Sequence, residues 1–156
     1  MSEAKRILNN WETKLMEMNK PLNELNLKIE GTILEKLIKR LYAELDKKGI
    51  TFKPKFYLTD TWGCPNKVPV IGIPFYYADS TLSKIEDHMR GELEDEHELM
   101  MTLRHEAGHA INYAYRIYRA EEWQETFGRF TDPYRDFFRP NPRSKDFVKH
   151  LYQQVG

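Results

Sequence analysis

The stretch LRHEAGHAINYAY, residues 103–115, decides the interpretation of the sequence because it combines helical periodicity with two histidines and a glutamate. Apolar and small residues recur at intervals of three and four from residue 95 to residue 119, which predicts one long helix over 95–119. On that helix His105 and His109 lie one turn apart on the same face. Glu106 lies about 100° round the axis from His105.

This spacing is typical of a hydrolytic zinc site. Zn²⁺ binds imidazole nitrogens at about 2.0–2.1 Å and lowers the pKa of a bound water to about 7. We therefore predict that His105 and His109 are metal ligands and that Glu106 is the general base. Gly108 costs a helix about 1 kcal/mol relative to alanine, so it predicts close approach of another backbone or a substrate. The alternative is a pair of partly buried histidines that serve only the structure.

The motif supplies only two ligands, and the third cannot be assigned from the residues alone. A metzincin continuation requires glycine and histidine where this chain has Asn112 and Tyr115, so that class is excluded. The thermolysin-like pattern places a glutamate about twenty residues on, where Phe127 to Phe130 contain no acid. The other available carboxylates, none of which stands in a ligand pattern, are Glu121, Glu122, Glu125, Asp132, Asp136 and Asp146.

The chain has three further histidines and one cysteine that could bind a metal ion. His97 lies two turns before His105, about 12 Å along the helix, which is too far to share an ion. His88 is interpreted as a surface residue, and His150 is a minor candidate as a ligand or transition-state donor. Cys64 is interpreted as a small buried apolar residue, and a single cysteine excludes an internal disulfide or a multi-cysteine zinc ribbon.

The first part of the chain predicts helices followed by strands. Apolar spacing predicts a helix over 3–19 and a better marked one from Thr32, where Thr32 and Glu35 fit a capping box and Gly49 ends the pattern. Residues 1–49 are therefore expected to form two helices on the core, with a partner-binding helix pair as the alternative. The strand-like stretches 51–59 and 68–77 are interrupted by prolines, so an edge strand or extended rim is expected within 50–80.

The remaining residues, 84–156, lie before and after the motif in sequence. Residues 84–98 are rich in acids and are predicted to be a solvated loop and the first turn of the motif helix, with substrate steering as the alternative. Residues 120–156 are aromatic and broken by prolines, and they are predicted to drape over the core with a short closing helix from about Ser144. The whole chain of 156 residues is long enough for one domain with a hydrophobic core.

The net charge and the hydropathy of the sequence bear on which classes of partner the protein is expected to bind. The chain carries 24 basic and 24 acidic residues, so its formal net charge of zero gives no bulk attraction to nucleic acid or to an anionic membrane. No apolar stretch approaches the length of a membrane span, and the N-terminus lacks the pattern of a signal peptide. We therefore expect no nucleic-acid or membrane partner and a cytoplasmic location. The sequence leaves the oligomeric state open.

The motif and its flanks also resemble bacterial zinc-binding metallopeptidases of the gluzincin type. The resemblance is carried by GIPFY at 72–76, LRHEAGHA at 103–110 and YAY at 113–115, and it extends over roughly residues 50–156. In the last part it is carried by Trp123, Phe127-Gly128, Pro133-Tyr134, Pro140-x-Pro142-x-Ser144 and Phe147-Val148-x-His150-Leu151.

The resemblance implies a fold, a cofactor and a substrate class. It implies an α+β, zincin-like single domain in which the active-site helix packs on a small mixed sheet, with Zn²⁺ as cofactor and a peptide or protein as substrate. It also implies a substrate rim along an edge strand, formed by Gly72, Ile73, Pro74 and Phe75. In the family, a glutamate beyond the region matching His150 supplies the third ligand.

This chain ends at Gly156, before that glutamate. The resemblance therefore leaves three explanations: the chain is a truncated enzyme, another group or chain completes the site, or the site is incomplete. We expect the 156 residues to bind zinc substoichiometrically and to show little peptidase activity. The alternative function is a non-catalytic module that binds a peptide or protein, and a purely structural role is the third. Core packing is the more common role of tyrosines in such positions, and the alternative is that a phenol stabilises an oxyanion. The tyrosines concerned are Tyr76, Tyr77, Tyr113, Tyr115, Tyr118 and Tyr134.

Overall fold

A computed structural model describes residues 20–91 and 93–131, together with Thr13, Met16, Arg143 and two short strands close to the C-terminus. In chain order the elements are α1 (Ile33–Lys47), β1 (Lys55–Thr59), β2 (Val70–Pro74), α2 (Ser80–Arg90), α3 (Glu96–Tyr115), α4 (Glu121–Phe127), β3 (Phe147–Val148) and β4 (Gln153–Gln154). Short 3-10 helices span Leu22–Glu24, Phe75–Ala78 and Ile117–Arg119. This mixture of helices and a small sheet is an α+β architecture, as the sequence predicts.

Helix α1 begins and ends where its sequence signals predict. Thr32 is the N-cap, and its hydroxyl accepts a hydrogen bond from the Leu34 N–H at 3.2 Å. The Glu35 carboxylate accepts one from the Gly31 N–H at 2.8 Å. Gly49 follows the helix with φ +71°, a left-handed conformation that glycine adopts without steric cost. The apolar stripe of α1 is buried in the core, which supports the packing role predicted for this part.

The sheet is a parallel pair with one antiparallel bridge. β1 and β2 run parallel in a register that pairs Tyr57 with Gly72. The connection between them contains no helix, and it returns along the outer side of β2, where Gly63 forms an antiparallel bridge with Gly72. A side chain at Gly72 would lie 2.7 Å from the Thr59 methyl group, so glycine leaves room for the side chains of the neighbouring strand β1.

The acid-rich stretch is a helix for most of its length, so the predicted loop is wrong there. Asp79 caps α2 by accepting hydrogen bonds from the N–H groups of Thr81 and Leu82, at 2.8 and 3.0 Å. The helix ends at Gly91, which has φ +66°. Leu82 and Ile85 are buried, and these two apolar positions among many charges are too few to produce a visible helical period.

Helix α3 carries the motif and ends earlier than predicted. Asp95 and Glu98 form a complete capping box at its start. The helix ends at Tyr115 rather than at residue 119, because Arg116 adopts a left-handed conformation with φ 54°. The Asn112 side-chain oxygen then accepts a hydrogen bond from the Tyr118 N–H at 2.7 Å, which holds the chain in its new direction.

One hydrophobic core joins α1, α3 and the sheet. Its buried members are Leu34, Leu37, Ile38, Leu41, Leu45, Ile71, Ile73, Tyr77, Leu99, Met100, Leu103, Ala107 and Ala110. Ion pairs across the surface reinforce the contact of α1 with α3, since Arg104 donates two hydrogen bonds to Glu44 and Lys36 pairs with Glu96. None of the helices in the described part of the chain is long and apolar enough to cross a membrane.

The two ends of the chain differ from the sequence prediction where they can be compared. The predicted helix over 3–19 falls mostly outside the described residues, although Thr13 and Met16 are helical. Helix α4 forms within the segment that was expected to drape over the core. The predicted closing helix is wrong at 147–148 and 153–154, where β3 and β4 pair antiparallel; short stretches of Phe, Val and Gln fit either conformation.

Candidate metal centre

The two motif histidines converge on one point in front of α3. Their Nε2 atoms lie 3.1 Å apart, and the rings are 4.8 Å apart and nearly perpendicular. Two nitrogens bound at about 2.0–2.1 Å to one tetrahedral ion are about 3.3 Å apart, so the pair fits a shared metal ion. Partial burial of the His109 ring, together with the charge of His105, lowers the pKa of His109 and favours the neutral imidazole that binds metal.

Glu106 is nearly buried and lacks a polar partner. Only 9% of its surface is exposed, and the described residues give its carboxylate neither a hydrogen bond nor an ion pair. The other buried acid, Glu86, is paired with Arg90 at 3.1 Å. No side-chain oxygen among the described residues is both buried and without a hydrogen-bond partner, so the Glu106 carboxylate oxygens keep contact with solvent and are open to a water or a ligand.

Cys64 and Tyr113 lie within electrostatic range of Glu106. Burial raises the pKa of the Cys64 thiol, and the charge of Glu106 raises it further. Burial also raises the pKa of Tyr113, with smaller contributions from Cys64 and Glu106. The Tyr113 ring lies roughly parallel to the His109 ring at 6.5 Å, one turn further along α3. The motif therefore faces a neutral thiol and a neutral phenol.

The candidate rim residues lie beneath another segment rather than at an open edge. Gly72, Ile73 and Pro74 are buried, and only Phe75 is partly exposed. The Gly72 N–H donates to Gly63 at 2.8 Å, and the Gly72 carbonyl accepts from the Gly63 N–H at 3.3 Å. We call residues 61–65 the wall segment, because it covers this side of β2 and stands beside α3.

The two small residues between the histidines have different surroundings. Ala107 is buried in the core with 2% of its surface exposed. Gly108 is exposed, and a side-chain carbon there would meet nothing within 4 Å in the described part of the chain. Core packing therefore does not require glycine at position 108. No described backbone lies close to Gly108, so the close approach predicted for it would have to come from a substrate or another group.

The third ligand remains unassigned in the structure. Among the residues that the structure describes, no cluster of three or more histidine, cysteine, aspartate or glutamate side chains could hold a metal ion. The candidate acids Glu121, Glu122 and Glu125 lie exposed on α4. Asp132, Asp136, Asp146 and His150 lie outside the described residues. His97 lies exposed in the first turn of α3, and His88 lies in the last turn of α2.

The structure distinguishes the tyrosines by their contacts. The Tyr77 hydroxyl donates to Glu94, and that of Tyr115 is paired with Thr51 and Phe52, away from the motif. Tyr76 packs on Tyr77 at 4.7 Å. Tyr118 packs on Phe130 at 4.6 Å, and Tyr113 alone of the described set stacks on a motif histidine. Tyr134 lies outside the described residues.

One polar group beside the motif was not singled out by the sequence. Glu94 accepts side-chain hydrogen bonds from Trp62, Tyr77 and Thr102, at 2.6, 2.9 and 2.7 Å. It stands within a run of acids that the sequence predicts to be solvated, and no local pattern distinguishes it from its neighbours. Its donors lie 32, 17 and 8 residues away, so only the tertiary structure identifies it.

Comparisons with protein-family models, with characterised proteins and with solved structures return no match.

Proposed function

We propose that this protein is a zinc-dependent peptidase with a zincin-like fold, in which His105 and His109 bind the ion and Glu106 is the general base. One observation carries the proposal: two imidazole nitrogens lie 3.1 Å apart, and the Glu106 carboxylate, which has no polar partner among the described residues, is close enough to act electrostatically on His109. A purely structural histidine pair does not require a solvent-accessible carboxylate beside it.

The residues of the chain have separate tasks in this reaction. Zn²⁺, when bound, supplies a Lewis acid that polarises the scissile carbonyl and acidifies water. Its third protein ligand is not assigned. The Glu106 carboxylate accepts a proton from the attacking water at an Oε atom and donates it to the leaving amine. The lowered pKa of His109 keeps its imidazole neutral and available as a ligand at physiological pH.

The substrate rim is best placed on the wall segment. Gly72 already uses its main-chain N–H and carbonyl on this side for Gly63, so β2 has no free hydrogen-bonding groups at that point for a peptide. In an antiparallel arrangement, the residues that flank a bridged residue direct their main-chain groups to the opposite side. The main chain at Trp62 and Cys64 therefore offers the edge to which an extended peptide could add.

The test uses the product of the complete reading frame, with fluorescein-labelled casein as substrate and zinc affinity measured by competition with a chromophoric chelator. We expect Glu106→Gln to retain zinc affinity and to lose about 10²–10⁴-fold in hydrolysis. His105→Ala and His109→Ala should each lose zinc binding. Glu30→Gln, at an exposed acid before α1, is the matched control and should change neither. Unchanged hydrolysis in Glu106→Gln would remove the base assignment.

The same assay addresses the alternative of a non-catalytic binding module. A wild-type protein that binds casein and zinc but cleaves no peptide bond would favour that module. A protein that binds neither would exclude both functions and leave the structural role.

A further inference from the structure

The side of the wall segment that faces α3 is fixed by a single carboxylate. The Glu94 Oε2 atom accepts hydrogen bonds from the Trp62 indole N–H and from the Tyr77 hydroxyl, and Oε1 accepts one from the Thr102 hydroxyl. The Tyr77 hydroxyl in turn accepts a hydrogen bond from the Glu94 N–H at 3.2 Å. Three elements thus meet at one acid that is itself only partly exposed.

The position of Thr102 connects this cluster with the motif. Thr102 precedes Glu106 by four residues, so both lie on the same face of α3, one turn apart. The bridge from Thr102 through Glu94 to Trp62 therefore sets the distance between that face and the wall segment. Cys64, two residues after Trp62, lies close enough for the Glu106 charge to raise its pKa.

Apart from Glu94, the wall segment is attached at Gly63 and at Cys64, whose thiol donates a hydrogen bond to the Val68 carbonyl at 3.4 Å. Its described main-chain link to the sheet is the bridge of Gly63 with Gly72. Its other side borders a hollow of about 200 Å³, which it lines together with Tyr57 and Thr59. The Trp62 ring packs on the Tyr77 ring at 6.1 Å, so the side-chain anchor and the aromatic contact act at the same residue. A carboxylate that receives three hydrogen bonds is a stronger anchor than a single neutral hydrogen bond.

We propose that Glu94 is a positioning residue: through Trp62 and Thr102 it holds the wall segment at a fixed distance from Glu106 and thereby sets the affinity for the peptide substrate. The inference rests on the proposed function, since it concerns the peptide that the wall segment would bind. Glu94 does not contact the histidines or the reacting atoms. Its loss therefore weakens peptide binding and leaves metal binding unchanged.

The first measurement requires no metal. In Glu94→Gln the amide replaces a charged acceptor, and we expect hydrogen exchange of the Gly63 and Gly72 N–H groups, followed by NMR, to become about tenfold faster. Trp62→Phe removes the indole donor but keeps an aromatic ring, and it should have the same effect. Glu96→Gln is the matched control, because Glu96 is a neighbouring acid that pairs with Lys36 at the surface. Unchanged exchange in Glu94→Gln and Trp62→Phe would overturn the proposal.

The second measurement uses two probes on the zinc-loaded product of the complete reading frame. Acetohydroxamate can bind only the ion, whereas Pro-Leu-Gly-hydroxamate also presents a peptide to the wall segment. We expect Glu94→Gln and Trp62→Phe to bind the peptide probe about tenfold more weakly and acetohydroxamate unchanged, by calorimetry. An equal change for both probes, or a change for neither, would overturn the inference.

The two proposals fail in different ways. A wild-type protein that binds neither probe in the presence of zinc would remove the proposed function, and the inference about Glu94 would fail with it. A wild-type protein that binds both probes, with variants that do not discriminate between them, would leave the metal site in place and remove only the role of Glu94. If Glu94→Gln does not fold, Trp62→Phe carries both measurements.

Discussion

The two sides of α3 differ in whether their polar groups have hydrogen-bond or ion-pair partners on other elements. On the core side, Leu103 is fully buried and Arg104 beside it donates two hydrogen bonds to Glu44. On the motif side, His105 and His109 are exposed and contact each other, and the Glu106 carboxylate has no polar partner in the described part of the chain. One side of the helix thus stabilises the fold, and the other side presents groups that can bind a ligand. This arrangement is expected of a site built on a rigid element.

The largest expected effect comes from breaking the scaffold side. Leu103→Ala should lower the free energy of unfolding by about 3 kcal/mol, because it removes a fully buried side chain and leaves a cavity. His109→Ala, on the exposed side of the same helix, should change it by less than about 0.5 kcal/mol. Urea denaturation of both variants without metal measures the difference. Equal losses would mean that the histidine side also carries the fold.

The acids Glu106 and Glu86, both on nearly buried residues, should respond unequally to neutralisation. The Glu106 carboxylate has no polar partner among the described residues and keeps contact with solvent, so we expect Glu106→Gln to change the free energy of unfolding by less than about 0.5 kcal/mol. Glu86→Gln breaks the pair with Arg90 and should lower it by about 1 kcal/mol. Denaturant titrations at pH 7, again without metal, compare them. A loss of stability in Glu106→Gln would reveal a polar partner of that carboxylate.

Gly108 permits a test that separates stability from function. Gly108→Ala should raise the free energy of unfolding by about 0.5–1 kcal/mol, because the site is exposed, helical and without close neighbours among the described residues. If a substrate approaches this backbone, the same variant should weaken binding of Pro-Leu-Gly-hydroxamate while the protein becomes more stable. A less stable variant would indicate a close neighbour at Gly108.

The smallest expected effect concerns the ion pair that links α1 and α3. Hydrogen bonds from Arg104 lower the pKa of the Glu44 carboxyl group, and a lowered pKa means that the folded protein binds its proton less readily. The stabilisation is therefore complete above the usual pKa of about 4.3 and is lost as the pH falls through the lowered value. Glu44→Gln should cost about 0.5 kcal/mol at pH 7 and nothing near pH 2. A difference that persists at pH 2 would contradict this.

The sequence predicts those parts of the fold whose signals are local. Helix α1 has its capping residues and apolar stripe within one continuous segment, and α3 has apolar and small residues at intervals of three and four from Leu99 to Ala114. Helix α2 was missed because only Leu82 and Ile85 mark its buried side, although Asp79 and Gly91 are recognisable end signals. The return of the chain from β1 along β2 depends on the bridge between Gly63 and Gly72, which no local pattern encodes.

The candidate site likewise contains residues whose positions local spacing predicts and residues whose positions it does not. His105, Glu106 and His109 come from one turn of helix, so their spacing alone predicts that they lie together. The covering of Gly72 by the wall segment and the convergence of Trp62 and Thr102 on Glu94 join residues that are distant in sequence. Such contacts arise from tertiary packing between residues that are distant in sequence, so no local pattern in a single sequence predicts them.

The left-handed turn at Arg116 also has a consequence for the order of folding. The chain that leaves α3 turns back at once, and Phe130 packs at 6.0 Å against Tyr113, whose ring stacks on His109. A loop between residues 113 and 130 is short, so its closure costs little chain entropy. Arg104 and Glu44 are 60 residues apart, and joining them is slower. The aromatic surroundings of His109 can therefore assemble locally before α3 docks on α1.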